Sequence, residues 1–334
     1  MGIDTALIWA VIILFGVLLY VMADGFDLGV GLLFPLAPAK EDRDRMMASI
    51  APVWDGNETW LILGGAGLMA AFPLAYAVIL NALYIPVLMM LIGLILRGVA
   101  FEARAKASSN SRHWWDKAFF TGSLLATFFQ GVILGAYISG LPVENGTFSG
   151  HALSWVSPFA LFCGLSLIPA YALLGSTWLI MKSEDLLQQQ MRRLSKPLVW
   201  LLMGFILLVS LWTPLAHESI AERWFSLPNL FWLAPLPIFT ALACLGLLKM
   251  VDRGEAGPFV MTLIIMALGF LGLGISLWPN VIPPAISIWQ ASAPVASQGF
   301  ALVGALLIIP VILTYSAWSY YVFRGKVDME DGYH

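Results

Sequence analysis

The sequence predicts an all-α protein that crosses a membrane several times. Its 334 residues are 60% hydrophobic and 11% charged, whereas a soluble domain carries about 25% charged residues. Mean hydropathy is +0.86. Residues 59–96 and 256–323 contain no charged side chain, and a bilayer span needs about 20 apolar residues. Helices and closed barrels are the structures that satisfy their backbone in lipid. The uncharged runs far exceed a barrel strand and do not alternate, so the spans are helical.

Charge-free stretches place nine spans, near residues 6–33, 52–72, 76–98, 118–139, 156–181, 197–215, 230–249, 258–278 and 299–323. Phe72-Pro73 divides the first long uncharged run, and Pro279, Pro283 and Pro284 divide the second. The first apolar run has no basic region before it and reads as a span rather than a cleaved leader. The loops then give orientation. After the first span come Lys40, Arg43 and Arg45; after the third, Arg104, Lys106, Arg112 and Lys117. Lys182, Arg192, Arg193 and Lys196 follow the fifth, Lys249 and Arg253 the seventh, and Arg324 and Lys326 the last. Connections after even-numbered spans hold Arg223 as their one cation. Such an excess marks the cytoplasmic side. The N-terminus is therefore expected outside and the C-terminus in the cytoplasm, which requires an odd number of spans. Loops 140–155 and 279–298 read as short outer caps, and 182–196 as a short cytoplasmic interfacial helix. Residues 1–334 read as a single integral membrane domain. Its acidic motifs fall in the first three helices, within 1–105, and six further helices occupy 106–334.

Against this apolar background the acids stand out. Asp24 and Asp27 lie in the first span, Asp55 and Glu58 at the start of the second, and Arg97 near the end of the third, with Glu102 and Arg104 just beyond. A carboxylate in hydrocarbon costs a few kcal/mol or more and tends to face a bundle interior or a wet path. The predicted orientation brings all of these groups to the cytoplasmic leaflet. Asp24 and Asp27 are spaced i,i+3, as are Asp55 and Glu58, so each pair shares a helix face. Several carboxylates beside one cation suit a proton relay. A plainer reading stands beside it. If the first helix ends near Ala23, Asp24 and Asp27 sit among headgroups as caps. Asp55 and Glu58 then favour the positive N-terminal end of the second helix, and Arg97 snorkels to the interface. Gly25, Gly29, Gly31, Gly64, Gly65 and Gly67 suit close helix packing, and Cys163 and Cys244 read as small core residues. His113, His151, His217 and His334 fall in loops or the tail, so no haem is expected on this chain by itself. No phosphate loop, metal cluster or serine nucleophile arrangement is visible, and no nucleic-acid partner is expected.

These residues carry a resemblance. Asp24-Gly-Phe-Asp27-Leu-Gly29, Ala51-Pro-Val-Trp-Asp55-Gly-Asn-Glu58-Thr-Trp-Leu61, Phe72-Pro73 and Arg97-Gly-Val-Ala-Phe-Glu102-Ala-Arg104 resemble subunit II of the cytochrome bd-type quinol oxidases, in its shorter, cyanide-insensitive branch. The motifs cover the first third of the chain, and the span plan and length extend the match. Glu58 stands where other members have Gln. The resemblance implies two four-helix bundles plus one peripheral helix. It implies a partner, subunit I, which carries haem b, haem d and the quinol-oxidising loop, in a bacterial cytoplasmic (inner) membrane. A small accessory subunit, membrane lipid and a structural quinone are further associates of that family. The complex oxidises quinol and reduces oxygen to water with protons from the cytoplasm. On the matching positions, Asp55 and Asp27 are the first candidates for proton transfer, with Glu58, Arg97 and Glu102 behind them. Two other functions compete: a proton-coupled secondary transporter using the same carboxylates, and a purely structural scaffold for subunit I.

Overall fold

The computed structural model describes residues 4–327. Helix α1 (Thr5–Leu33) continues as a 3-10 turn (Phe34–Leu36) and is followed by α2 (Lys40–Ile50), α3 (Trp54–Ala71), α4 (Pro73–Lys106) and α5 (Arg112–Ile138). A hairpin of β1 (Val143–Glu144) and β2 (Thr147–Phe148) leads into α6 (Pro158–Lys182), α7 (Asp185–Ala216), α8 (Glu218–Phe225), α9 (Asn229–Leu233) and α10 (Pro235–Met250). Then come α11 (Ala256–Leu277), β3 (Asn280–Ile282), β4 (Ile286–Ser287), α12 (Ile288–Ala291) and α13 (Val295–Val322).

Eight helical segments among the described residues are long and apolar enough to cross a membrane. They are Thr5–Leu36, α4, α5, α6, α7, Asn229–Met250, α11 and α13. Helix α3 occupies the remaining expected span. Its 18 residues open on Asp55, Asn57 and Glu58, and that polar start keeps it out of the apolar set.

Three local readings change. The first helix does not end near Ala23, because α1 runs unbroken to Leu33 with Asp24 and Asp27 buried inside it. Residues 182–196 are not a separate interfacial helix. Lys182 ends α6, and residues 185–196 begin α7, which continues through Pro197 to Ala216. The first basic connection contains α2, which puts Glu41 and Asp42 in its first turn, where the helix dipole favours them.

Small residues set how closely the helices meet. A Cβ on Gly29 would lie 1.9 Å from the Tyr171 carbonyl oxygen, and one on Gly175 2.3 Å from the Gly29 carbonyl carbon. Helices α1 and α6 therefore touch backbone to backbone. Helix α1 also packs on α3 and α5, α4 lies along α5, α6 meets α7 and α11, and α10 meets α11. Helix α13 touches α3 and α1 and leaves Phe300, Leu307, Val311 and Trp318 exposed. Aromatic rings seal the centre: Phe26 stacks on Trp178 at 4.2 Å and meets the edge of Phe259 at 5.6 Å.

At the basic end, Arg104 donates to Asp44 at 2.7 Å and to Asp116 at 2.6 Å, which ties α4 to α2 and α5. Asp44 is partly desolvated, yet its bonds from Arg104 and Lys40 hold its carboxyl below the usual range. At the opposite end Asp4 caps α1 through the Leu7 amide and accepts from the Trp289 indole at 2.9 Å. The β1–β2 turn places Asn145 at φ 50° and Gly146 at φ 75°, the conformation that an Asn-Gly pair suits in a two-residue hairpin.

Candidate functional site

The acidic residues divide into a buried set and an outer set. Asp24, Asp27 and Arg97 are buried, and Glu58 is half-buried. Asp55 and Glu102 are exposed. The single cluster suggested by the sequence is thus two groups, and a cavity borders the outer one.

Arg97 organises the buried set. Its guanidinium is 1% exposed, so the side chain does not snorkel. Nη1 donates to Asp24 Oδ1 at 2.8 Å and Nη2 donates to Glu58 Oε1. The Trp54 ring lies 5.6 Å from its Cζ, a cation–π contact in a desolvated site. One planar fork thereby links α1, α3 and α4, a geometry that arginine meets and lysine does not. Glu58, the variable position of the motif, is one of its two acid partners.

Asp27 belongs to a second chain of contacts. Asn57 Nδ2 donates to Asp27 Oδ2 at 2.7 Å, and the Tyr320 hydroxyl donates to Asn57 Oδ1 at 2.7 Å. Asp27 Oδ1, Asp24 Oδ2 and Arg97 Nε have no hydrogen-bond partner, in a region where buried polar atoms are normally bonded to protein or water. Arg97 thus bonds two of the three carboxyl groups of the buried set, and Asp27 is held by Asn57 instead.

A cavity of about 300 Å³ lies beside the outer set. Pro52, Asp55, Asn57, Glu102, Ser319 and Tyr320 are among the residues that line it. Asp55 and Glu102 bring negative charge to its exposed side, and Asn57 and Tyr320 connect it to Asp27. A second polar chain leaves the buried set toward α5 and α6. Gln130 Nε2 donates to the Tyr20 hydroxyl at 2.7 Å, and the Tyr171 hydroxyl donates to Gln130 Oε1 at 2.8 Å.

Asn57, Tyr320, Tyr20, Gln130 and Tyr171 went unassigned in the sequence reading. Asn57 had a signal, since it lies within the acidic block between Asp55 and Glu58. Tyr320 comes from the far end of the chain, and nothing local marks it. Of the histidines, His113 and His151 are exposed, His217 is half-buried between α7 and α8, and His334 lies outside the described residues. Among the described residues no group of three or more His, Cys, Asp or Glu is placed to hold a metal ion. Cys163 and Cys244 are buried and unbonded to each other.

The model of the family described as cytochrome bd terminal oxidase subunit II matches residues 5–323. The chain is 29% identical over 360 residues to a probable cytochrome oxidase subunit 2 of Haemophilus influenzae, covering 96% of this chain and 94% of that protein. It is 28% identical over 364 residues to the cytochrome bd-I ubiquinol oxidase subunit 2 of Escherichia coli, with the same coverage of 96% and 94%. It is 27% identical over 320 residues to the cytochrome bd ubiquinol oxidase subunit 2 of Bacillus subtilis, covering 92% of each. A solved bd oxidase from Geobacillus thermodenitrificans matches its fold with a TM-score of 0.76, over 96% of this chain and 99% of that one, at 17% identity.

Proposed function

This chain belongs to the cytochrome bd terminal oxidase subunit II family, and we propose that its part in the oxidase is to deliver protons rather than to carry electrons. It is a subunit of a terminal quinol oxidase of a bacterial inner membrane. The complex couples quinol oxidation to reduction of oxygen, and haem b and haem d belong to subunit I. This chain is one integral membrane domain that supports subunit I. Its nine spans run from an outside N-terminus to a cytoplasmic C-terminus. Helices α1, α3, α4 and α5 form one four-helix bundle, α6, α7, α10 and α11 the other, and α13 is peripheral. The pairwise packing of these helices supports that arrangement.

Reduction of oxygen to water consumes protons, and the proposed route brings them from the cytoplasm. Asp55 and Glu102 collect them at the mouth of the cavity. Asn57 and Tyr320 lead to Asp27, and the Asp24–Arg97–Glu58 cluster lies behind as a fixed counter-charge. The observation that carries this reading is a shared wall. One cavity is lined by the exposed Asp55 and Glu102 and also by Asn57, whose amide is bonded to the buried Asp27.

The test uses the purified oxidase complex. Asp55→Asn and Asp27→Asn are each expected to lower quinol oxidase turnover on the order of tenfold or more, with subunit assembly intact. Unchanged turnover in both variants removes the path and leaves the scaffold role.

A further inference from the structure

Helix α7 has two faces. Leu187, Met191, Ser195, Val199 and Leu202 turn inward and are buried. On the other side Pro197, Trp200, Leu201, Gly204, Phe205 and Leu208 line an open apolar groove of about 490 Å³. One wall is Phe205, whose ring packs on Phe162 of α6 at 5.2 Å. The floor is Gly204, where a Cβ would meet nothing within 4 Å. The missing side chain leaves room that a branched residue would fill. Trp200 is 59% exposed on the rim.

Arg193 stands on the same stripe. Positions 193, 197, 200, 204 and 208 follow the spacing of one helix face. Arg193 is exposed and lies one turn nearer the basic end than Pro197. The neighbouring cations are engaged: Arg192 donates to the Val251 carbonyl, and Lys196 pairs with Asp252 at 2.8 Å. Arg193 has no ion pair among the described residues. The axial distance from Arg193 to Gly204 is about 17 Å at 1.5 Å per residue. That places a free cation at headgroup level and the groove in hydrocarbon below it. Between them lies an indole, the side chain suited to the boundary.

We propose that this face of α7 holds one anionic phospholipid. Its phosphate is bound by Arg193, its ester region lies beside the Trp200 indole, and an acyl chain runs over Gly204 along Leu208. Charge selects the class of lipid. The stripe offers a guanidinium without an ion pair among the described residues, and each Lys or Arg near the membrane surface favours anionic headgroups. An apolar groove alone accepts any chain; the cation at its end makes the site selective.

The test is native mass spectrometry of the oxidase complex, washed free of native lipid and reloaded with phosphatidylglycerol or phosphatidylethanolamine of identical acyl chains. Wild type is expected to keep one phosphatidylglycerol that resists a second wash, and to keep phosphatidylethanolamine at roughly one-fifth of that level or less. Arg193→Gln is expected to abolish the preference between the two lipids. Gly204→Leu is expected to lose the retained lipid of either kind. Both positions face away from the protein, and the same spectra report subunit stoichiometry. Equal retention of the two lipids by wild type overturns the proposal. So does a phosphatidylglycerol count that either substitution leaves unchanged, or an isoprenoid quinone as the species that Gly204→Leu displaces.

Discussion

Arg97 decides the balance of charge inside the protein. Its guanidinium is the buried cation facing Asp24 and Glu58, and no second cation pairs with Asp24 among the described residues. Replacing it with Leu keeps much of the apolar volume but strands Asp24 in a desolvated site. Breaking a buried pair from one side costs about 3–5 kcal/mol. Arg97→Leu is therefore expected to lower the stability of the purified complex by that amount, read from its denaturation midpoint. Arg97→Lys is expected to recover part of the loss, because an ammonium offers a point charge but no fork. An unshifted midpoint in Arg97→Leu would mean that Asp24 has another partner. The acids and the arginine were legible in the sequence because charge is costly in an apolar chain. Which acid meets which cation was not. Asp24 reads locally as a cap and Glu58 as a variable position, yet both receive Arg97. Tyr320 is invisible to any local pattern, because its link to Asn57 crosses nearly the whole chain.

At the scale of the element, two contacts make opposite demands on chemistry. Helices α1 and α6 meet through Gly29 and Gly175, with no space for a side chain. Gly29→Val is expected to push them apart and to lower the yield of assembled complex more than twofold in membranes, scored by immunoblot against wild type; overpacking of this kind costs about 1–3 kcal/mol. Normal assembly of that variant would show that the contact yields easily. The α2–α4–α5 clamp is electrostatic instead. Asp44 has an ordinary pKa of 3.8 and a lower one in the fold. A carboxyl depressed in this way stabilises fully above its unfolded pKa, and the contribution disappears as pH falls through the folded value. Asp44→Asn is therefore expected to lower the denaturation midpoint at pH 7, with the gap to wild type closing below about pH 3.8. A gap that persists in acid would assign the effect to packing. Most helices were legible from uncharged runs and proline breaks. The exceptions share a cause. Helix α2 is polar and lies where charges signal a loop, and the polar first turns of α7 read as an interfacial helix separate from the span they continue into, because hydropathy breaks where the charges begin.

For the whole molecule the open quantity is parity. Eight segments are apolar enough to cross the membrane unaided, and α3 adds a ninth only if its polar start is accepted by its neighbours. Arg97 meets Glu58 and a cavity borders Asp55, and a helix can carry carboxylates into the membrane when they meet a cation or water. Hydropathy scores a helix as if alone, so the test that α3 fails takes no account of its packing on α1 and α4. The two counts make different maps. With nine crossings, Glu41 after α1 and Ser108 after α4 lie on one side, and Ser149 after α5 lies on the other. If α3 does not cross, Ser108 moves to the side opposite Glu41, and every later loop follows it. Single cysteines at Glu41, Ser108 and Ser149 separate the two maps, because these positions are exposed while the native Cys163 and Cys244 are buried. In right-side-out membrane vesicles, an impermeant maleimide is expected to label Ser149→Cys and to leave Glu41→Cys and Ser108→Cys unlabelled until the membrane is opened. Labelling of Ser108→Cys in sealed vesicles, with Glu41→Cys still protected, would take α3 out of the set of spans. It would also put Glu102, beside Ser108, on the side opposite Asp55, which stays with Glu41, and the proposed mouth of the proton route would be divided.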